Sequence, residues 1–282
     1  MRLWEWLAAT ALGALVVWWF GWSWWALPGG VLIGVAALTV LNLGYGALQG
    51  LRPYREIRRF TRMDALLERS DAHAGARGEA ERLLLQAYGL CRRVARSRPR
   101  RRVPTLVHTC AMQAEMLLRV AVRLVAFHRY DEAVFVTREA VALRHLGEDG
   151  ARAEDLGRLF TAVGAGFYRA GRAADALAPE REAVSVYRGM VTSGHLAEPA
   201  LADSLHSLAI TLSSLDDRAG AHGAYQEAVD LYRALAAHEP PEGELRRDLA
   251  RTLRNLACHL ERQGRAGEAA DALAEADLLD RA

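Results

Sequence analysis

Apolar positions follow two patterns along this chain, and each predicts a different kind of helix. Near the start they run on uninterrupted: Leu7–Leu27 and Val31–Leu48 contain no charged side chain. On a helix, Trp6 to Trp25 spans roughly 28 Å, close to the thickness of a hydrocarbon layer. Pro28–Gly30 separates the two runs and leaves room only for a tight hairpin. From about Tyr54 onward the pattern changes. Apolar residues recur with a helical period, polar ones fill the intervals, and no stretch alternates as a strand would. Two helical regions are therefore expected, one apolar throughout and one amphipathic.

The amphipathic region repeats itself. Leu201–Ala221 aligns without gaps onto Leu249–Ala269, so that Leu201, Leu205, Leu208, Ala209 and Leu212 fall on Leu249, Leu253, Leu256, Ala257 and Leu260. Leu156, Phe160, Val163, Gly164 and Phe167 form an earlier set, and Leu117, Val120, Ala121 and Leu124 an earlier one still. A second motif follows each: Arg138–Val141 and Arg181–Val184 both read REAV, and Gln226–Val229 reads QEAV. Tyr187-Arg188 matches Tyr232-Arg233, and Ala87–Pro99 aligns with Ala228–Pro240 as a degenerate earlier unit. Small residues mark the contacts. Ala121, Gly164, Ala209 and Ala257 let a second helix press close to the first. In that second helix Ala133, Ala176, Ala221 and Ala269 are each followed seven residues on by another alanine. Seven residues is about two turns, so both alanines face one neighbour.

A large–x–x–large–small signature in one helix, paired alanines in the next and proline near the break resemble the tetratricopeptide repeat (TPR) family. Units of 43–48 residues point to its long, kinesin-light-chain-like variety. The resemblance covers roughly Met63–Ala282 and implies a right-handed α-solenoid with an inner groove. Its units are expected at about 79–99 (partial), 106–148, 152–198, 200–242 and 246–282. Thr137 and Glu180 stand where an aromatic residue is usual, a place that Tyr225 fills. Leu278 and Leu279 are expected to be partly exposed, with a second copy of the chain as one candidate to cover them. The fold class expected is all-α: an N-terminal transmembrane helical hairpin over 1–51, a basic juxtamembrane helix and linker over 52–78, and a TPR-like right-handed α-solenoid over 79–282.

Charge and tryptophan placement carry the location. Residues 1–102 hold 16 arginines and 7 acids, whereas the remainder holds 20 arginines and 27 acids. The basic excess thus adjoins the apolar runs, which suggests a membrane surface. All seven tryptophans lie within Trp4–Trp25. Trp4 and Trp6 form one group and Trp18, Trp19, Trp22, Trp24 and Trp25 the other, as if at two membrane boundaries. Arg52, Arg55, Arg58, Arg59 and Arg62 follow the second run, which places both termini and the repeats in the cytoplasm by the positive-inside tendency. An inner-membrane location with two spans and a lipid bilayer partner is expected. Ala95–Pro104 is a basic loop without aromatic residues, so lipid rather than nucleic acid is its expected contact. All 36 basic residues are arginine, as in a GC-rich bacterial coding bias of actinobacterial type.

Chemistry is sparse. Cys91, Cys110 and Cys258 show no CxxC spacing and are expected to be buried free thiols, with no metal site. No HExxH, GxSxG, P-loop or GxGxxG is present, so no catalytic residue and no cofactor are expected. The resemblance implies instead that ligands lie along the inward-facing residues of the first helix in each unit. These are Arg158, Thr161, Tyr168 and Arg169, then Asp203, His206, Ile210 and Ser213, then Arg251, Arg254, Cys258 and Arg262. Arginines dominate, and a guanidinium fork suits carboxylates, so an acidic or C-terminal peptide is the expected partner. The function expected is a membrane-anchored, non-catalytic scaffold or adaptor, with a possible homo-oligomer. A sensor or regulator in a bacterial signalling system and a non-catalytic subunit of a membrane enzyme or transporter stand as alternatives.

Overall fold

The computed structural model describes residues 58–59, 61–73, 75–96, 107–144, 152–238 and 243–281. The expected hairpin over 1–51, with its tryptophans and with Arg52 and Arg55 beyond it, lies outside the described residues, as does most of the basic loop Ala95–Pro104. Arg58 and Arg59 are helical. Residues 60–282 form one compact unit. Its helices are α1 (61–72), α2 (Arg77–Arg96), α3 (Val107–Ala126), α4 (Tyr130–Arg144), α5 (Ala153–Arg169), α6 (Ala173–Thr192), α7 (Glu198–Ser214), α8 (Arg218–Ala236), α9 (Glu244–Arg262) and α10 (Ala266–Arg281). No strand occurs among the described residues.

Four hairpins repeat: α3/α4, α5/α6, α7/α8 and α9/α10. We call the first helix of each pair A and the second B. The apolar periodicity explains the pairing. Leu249, Leu253, Leu256 and Leu260 are buried along one stripe of α9, while Arg251, Glu261 and Arg262 stay exposed. No helix among the described residues is long and apolar enough to cross a membrane. That finding goes against the expected inner-membrane localisation with two spans. The physical reason is the charged outer face of each helix, whose apolar stripe is covered by its neighbours.

Each A helix ends in the same way. The residues at positions 128, 171, 216 and 264 are left-handed, with φ of 61°, 74°, 61° and 77°. The next amide then bonds back across the turn: Arg129 to Leu124, Arg172 to Phe167, Asp217 to Leu212 and Arg265 to Leu260, at 2.8–3.0 Å. Two of the four left-handed positions are glycine, the residue that meets this backbone without a Cβ penalty; His128 and Asp216 hold the others.

Stacking buries the remaining faces. Phe160, Phe167, Leu205, Tyr232 and Leu253 are fully or almost fully buried. Helix α6 packs on α7, and α8 packs on α9. The first pair differs, for α3 lies directly against α5. Gly166 permits this: a Cβ there would meet Val125 Cγ1 at 2.6 Å. The B helices are also tied edge to edge. Arg144 pairs with Glu182 at 2.6 Å, Arg188 with Glu227 at 2.7 Å and Arg233 with Glu275 at 2.6 Å. Glu182 of the second REAV, Glu227 of the QEAV and Glu275 at the matching place in α10 are therefore the acceptors of an Arg–Glu ladder between successive units.

Candidate functional site

The expected groove residues divide into three sets in the structure. Arg158, Arg251 and Arg254 are occupied by carboxylates. Arg158 meets Asp155 at 2.7 Å and Glu154 at 3.7 Å, and Arg251 meets Asp248 at 2.8 Å. Arg254 pairs with Asp280 of α10, which turns it toward its own B helix. Asp203, exposed among them, accepts a hydrogen bond from Tyr232 Oη. This end of the A helices is thus charge-balanced.

A second set is buried between A helices. His206 and Ser213 are only 6% and 8% exposed. Thr252 Oγ1 donates to the Asp248 carbonyl at 2.7 Å, so it accepts from His206 Nδ1–H at 2.9 Å. That leaves His206 Nε2 to accept from Asn255 Nδ2 at 3.3 Å. His259 Nδ1 shares a hydrogen bond with Ser213 Oγ at 2.9 Å, and its Nε2 lies against Gln263 Nε2 at 2.5 Å and the Arg218 carbonyl at 3.2 Å. Tyr225 of α8 lies between the two imidazoles, with ring centroids 6.3 Å from His206 and 5.6 Å from His259. Burial pushes the His206 pKa down to about 4, with Arg251 adding to the effect. Burial also lowers that of His259 and raises that of Tyr225. Thr161 is half-buried; its hydroxyl donates to the Gly157 carbonyl at 3.0 Å and approaches Ser204 Oγ at 3.5 Å.

The third set is open. Tyr168, Arg169, Cys258 and Arg262 are exposed and Ile210 is half-buried. Tyr168 and Arg169 stand at the end of α5, and Cys258 and Arg262 at the end of α9. Arg262 donates to Ser213 Oγ at 3.2 Å, and Arg169 Nε to the Ala165 carbonyl at 3.2 Å. Neither guanidinium has a carboxylate partner among the described residues. An aromatic ring, an exposed thiol and two uncompensated guanidinium groups can hold an extended segment that brings a carboxylate. Cys91 and Cys110 are buried as expected, and burial pushes the Cys91 thiol up to about 12, which leaves it inert. Cys258 is exposed, contrary to expectation.

Sequence reasoning missed Tyr225, Thr252, Asn255 and His259 as parts of this site. Thr252 stands where Ser204 stands in the preceding unit, and that match was the available signal.

Residues 201–242, the α7/α8 pair with its flanks, match the tetratricopeptide repeat family. The fold is an all-α, TPR-like solenoid. No curated protein matches the chain. Among solved structures, the TPR-like array is similar to BtubC (BKLC) from P. vanneervenii, at 16% identity, covering 83% of this chain and 85% of that one, with a TM-score of 0.49. It is also similar to MamA from Desulfovibrio magneticus RS-1, at 18% identity, covering 78% and 96%, with a TM-score of 0.42.

Proposed function

We propose that this chain is a non-catalytic protein-interaction scaffold whose A-helix face takes an acidic or C-terminal peptide segment. The observation that carries the reading is the exposed set at the ends of α5 and α9, Tyr168, Arg169, Cys258 and Arg262, with no carboxylate paired to either arginine among the described residues. The partner's carboxylates would sit on Arg169 and on Arg262 and an apolar side chain on Tyr168 and Ile210. The earlier cluster of Arg158, Arg251 and Arg254 plays a structural part in this scheme, because its charges are already answered within the fold.

The test is fluorescence anisotropy with a labelled acidic peptide that has a free C-terminus. Arg169→Glu together with Arg262→Glu is expected to weaken binding by about 2 kcal/mol or more, from loss of charge-assisted hydrogen bonds. Arg251→Glu is expected to leave it nearly unchanged. Equal loss in both variants, or no binding by the native chain, would defeat the proposal.

A further inference from the structure

On the face away from the A-helix groove, a cleft of about 490 Å³ opens between helices α6 and α8. Its floor is Leu205, Leu208 and Leu212 of α7, and Arg181 and the Arg188–Glu227 pair stand at its rim. The repeat supplies an internal control. The equivalent cleft one unit earlier, between α4 and α6, holds only about 170 Å³. There Phe167 occupies the place of Leu212, Ala178 that of Gly223 and Pro179 that of Ala224. The two clefts thus differ in side chains as well as in stacking, since at the earlier seam α3 lies directly against α5.

Two glycines widen the opening. Gly189 and Gly223 lie inside α6 and α8, and a Cβ built on either would meet nothing within 4 Å. Neither has positive φ. Each costs helix stability of about 1 kcal/mol relative to alanine without any packing reason in the fold. Gly220 is different, since a Cβ there would run into the side chain of Asp217, the N-cap of α8. The rim charge is also uneven. Arg188 is neutralised by Glu227, whereas Arg181 is exposed and pairs with no carboxylate among the described residues.

We propose that this cleft is a second docking site, for an amphipathic helical segment of a partner protein that inserts aliphatic side chains one turn apart and sets a carboxylate on Arg181. The leucine floor takes the aliphatic groups, and a helix lying between two helices is the arrangement that i, i+4 anchors fit. A segment with basic residues at the same places would face an uncompensated guanidinium and is excluded. Because the cleft and the A-helix groove are on opposite faces, occupation of one leaves the other free.

The experiment uses the full chain and a fluorescein-labelled, helix-forming Glu/Ala peptide with two leucines four residues apart. Titration is expected to show saturable binding. Gly223→Met, which fills the cleft from a position with open space around it, is expected to weaken binding about tenfold or more, and Arg181→Glu about tenfold. Gly223→Ala, which stabilises α8 and leaves most of the cleft, checks that the loss is not a folding defect and retains binding. Because the A-helix groove would also take an acidic peptide, the titrations are run in the Arg169→Glu/Arg262→Glu background, where saturable binding to the cleft remains. Failure of the native chain to bind, equal binding by Gly223→Met, or loss in the Arg169/Arg262 variant would each overturn the assignment.

Discussion

The seam between α5/α6 and α7/α8 and the seam between α7/α8 and α9/α10 share one geometry and hold opposite chemistry. Where the later seam has Tyr225, the earlier has Glu180; where the later has His259, the earlier has Thr211. Glu180 is 3% exposed, and its Oε2 has no hydrogen-bond partner. Its Cγ would be only 2.6 Å from a Cβ on Gly164, so the glycine makes room for it. Burial pushes the Glu180 carboxyl up to about 8, and Thr211 stands close enough to oppose this without closing a hydrogen bond. In the later seam the His206, Thr252, Asn255, Ser213 and His259 side chains are hydrogen-bonded, and both imidazoles are neutral. Backbone stacking thus tolerates a buried acid at one seam and a satisfied polar layer at the next. The difference is felt as a response to pH.

The signs are opposed. Glu180 is protonated in the fold up to about pH 8 and has an ordinary value of 4.5 when unfolded. The unfolded chain therefore loses its proton first, and this seam weakens as pH rises from 4.5 to 8. His206 has an ordinary value of 6.5 and a folded value of about 4. The unfolded chain gains its proton first, and the later seam weakens as pH falls from 6.5 to 4.

The largest expected effect comes from removing the acid. Glu180→Met should raise stability at pH 8 by about 3 kcal/mol, since a buried carboxyl no longer has to stay protonated. Urea unfolding at pH 5 and pH 8 should show that the alkaline loss of the native chain disappears. If the native chain shows no such loss, the contrast between seams is wrong at its centre. Next, His206→Leu should cost about 1–2 kcal/mol at pH 7.5 through its lost hydrogen bonds, and should flatten the decline between pH 6.5 and 4. Thermal melts across that range read both changes.

A smaller gain, about 0.5–1 kcal/mol, is expected for Asp216→Gly, which relieves the left-handed residue leading into α8. His128→Gly should give a like gain at the first pair, showing that the turn is independent of the seam beside it. The smallest effect belongs to the ladder. Arg188→Met should cost about 0.5 kcal/mol at low salt and less at 1 M salt, because that pair is half exposed.

The repeat was legible because leucines such as Leu205 and Leu253 are buried whichever neighbour covers them, and their spacing alone marks the face. The site was legible only in part. Tyr168, Arg169, Cys258 and Arg262 do share an open face, but Arg254 points to Asp280, a pairing that depends on which side of α9 meets α10. Thr252 and Asn255 look like solvent positions in an amphipathic helix until a histidine from the previous unit is set against them. His259, one residue from Cys258, is buried while its neighbour is exposed, a division that depends on the seam. The cleft beside Gly189 and Gly223 left little trace, since a missing side chain carries no hydrophobic signal.

The Arg–Glu rungs run along the B edge at every seam, whereas among the described residues the A side has such a tie only at the first, Arg152 to Glu115. A stack laced down one side resists bending unequally. Fanning the B helices apart must stretch every rung, whereas curling toward them leaves the lacing slack. Added electrolyte should therefore soften the molecule in one direction of flexure and hardly at all in the other.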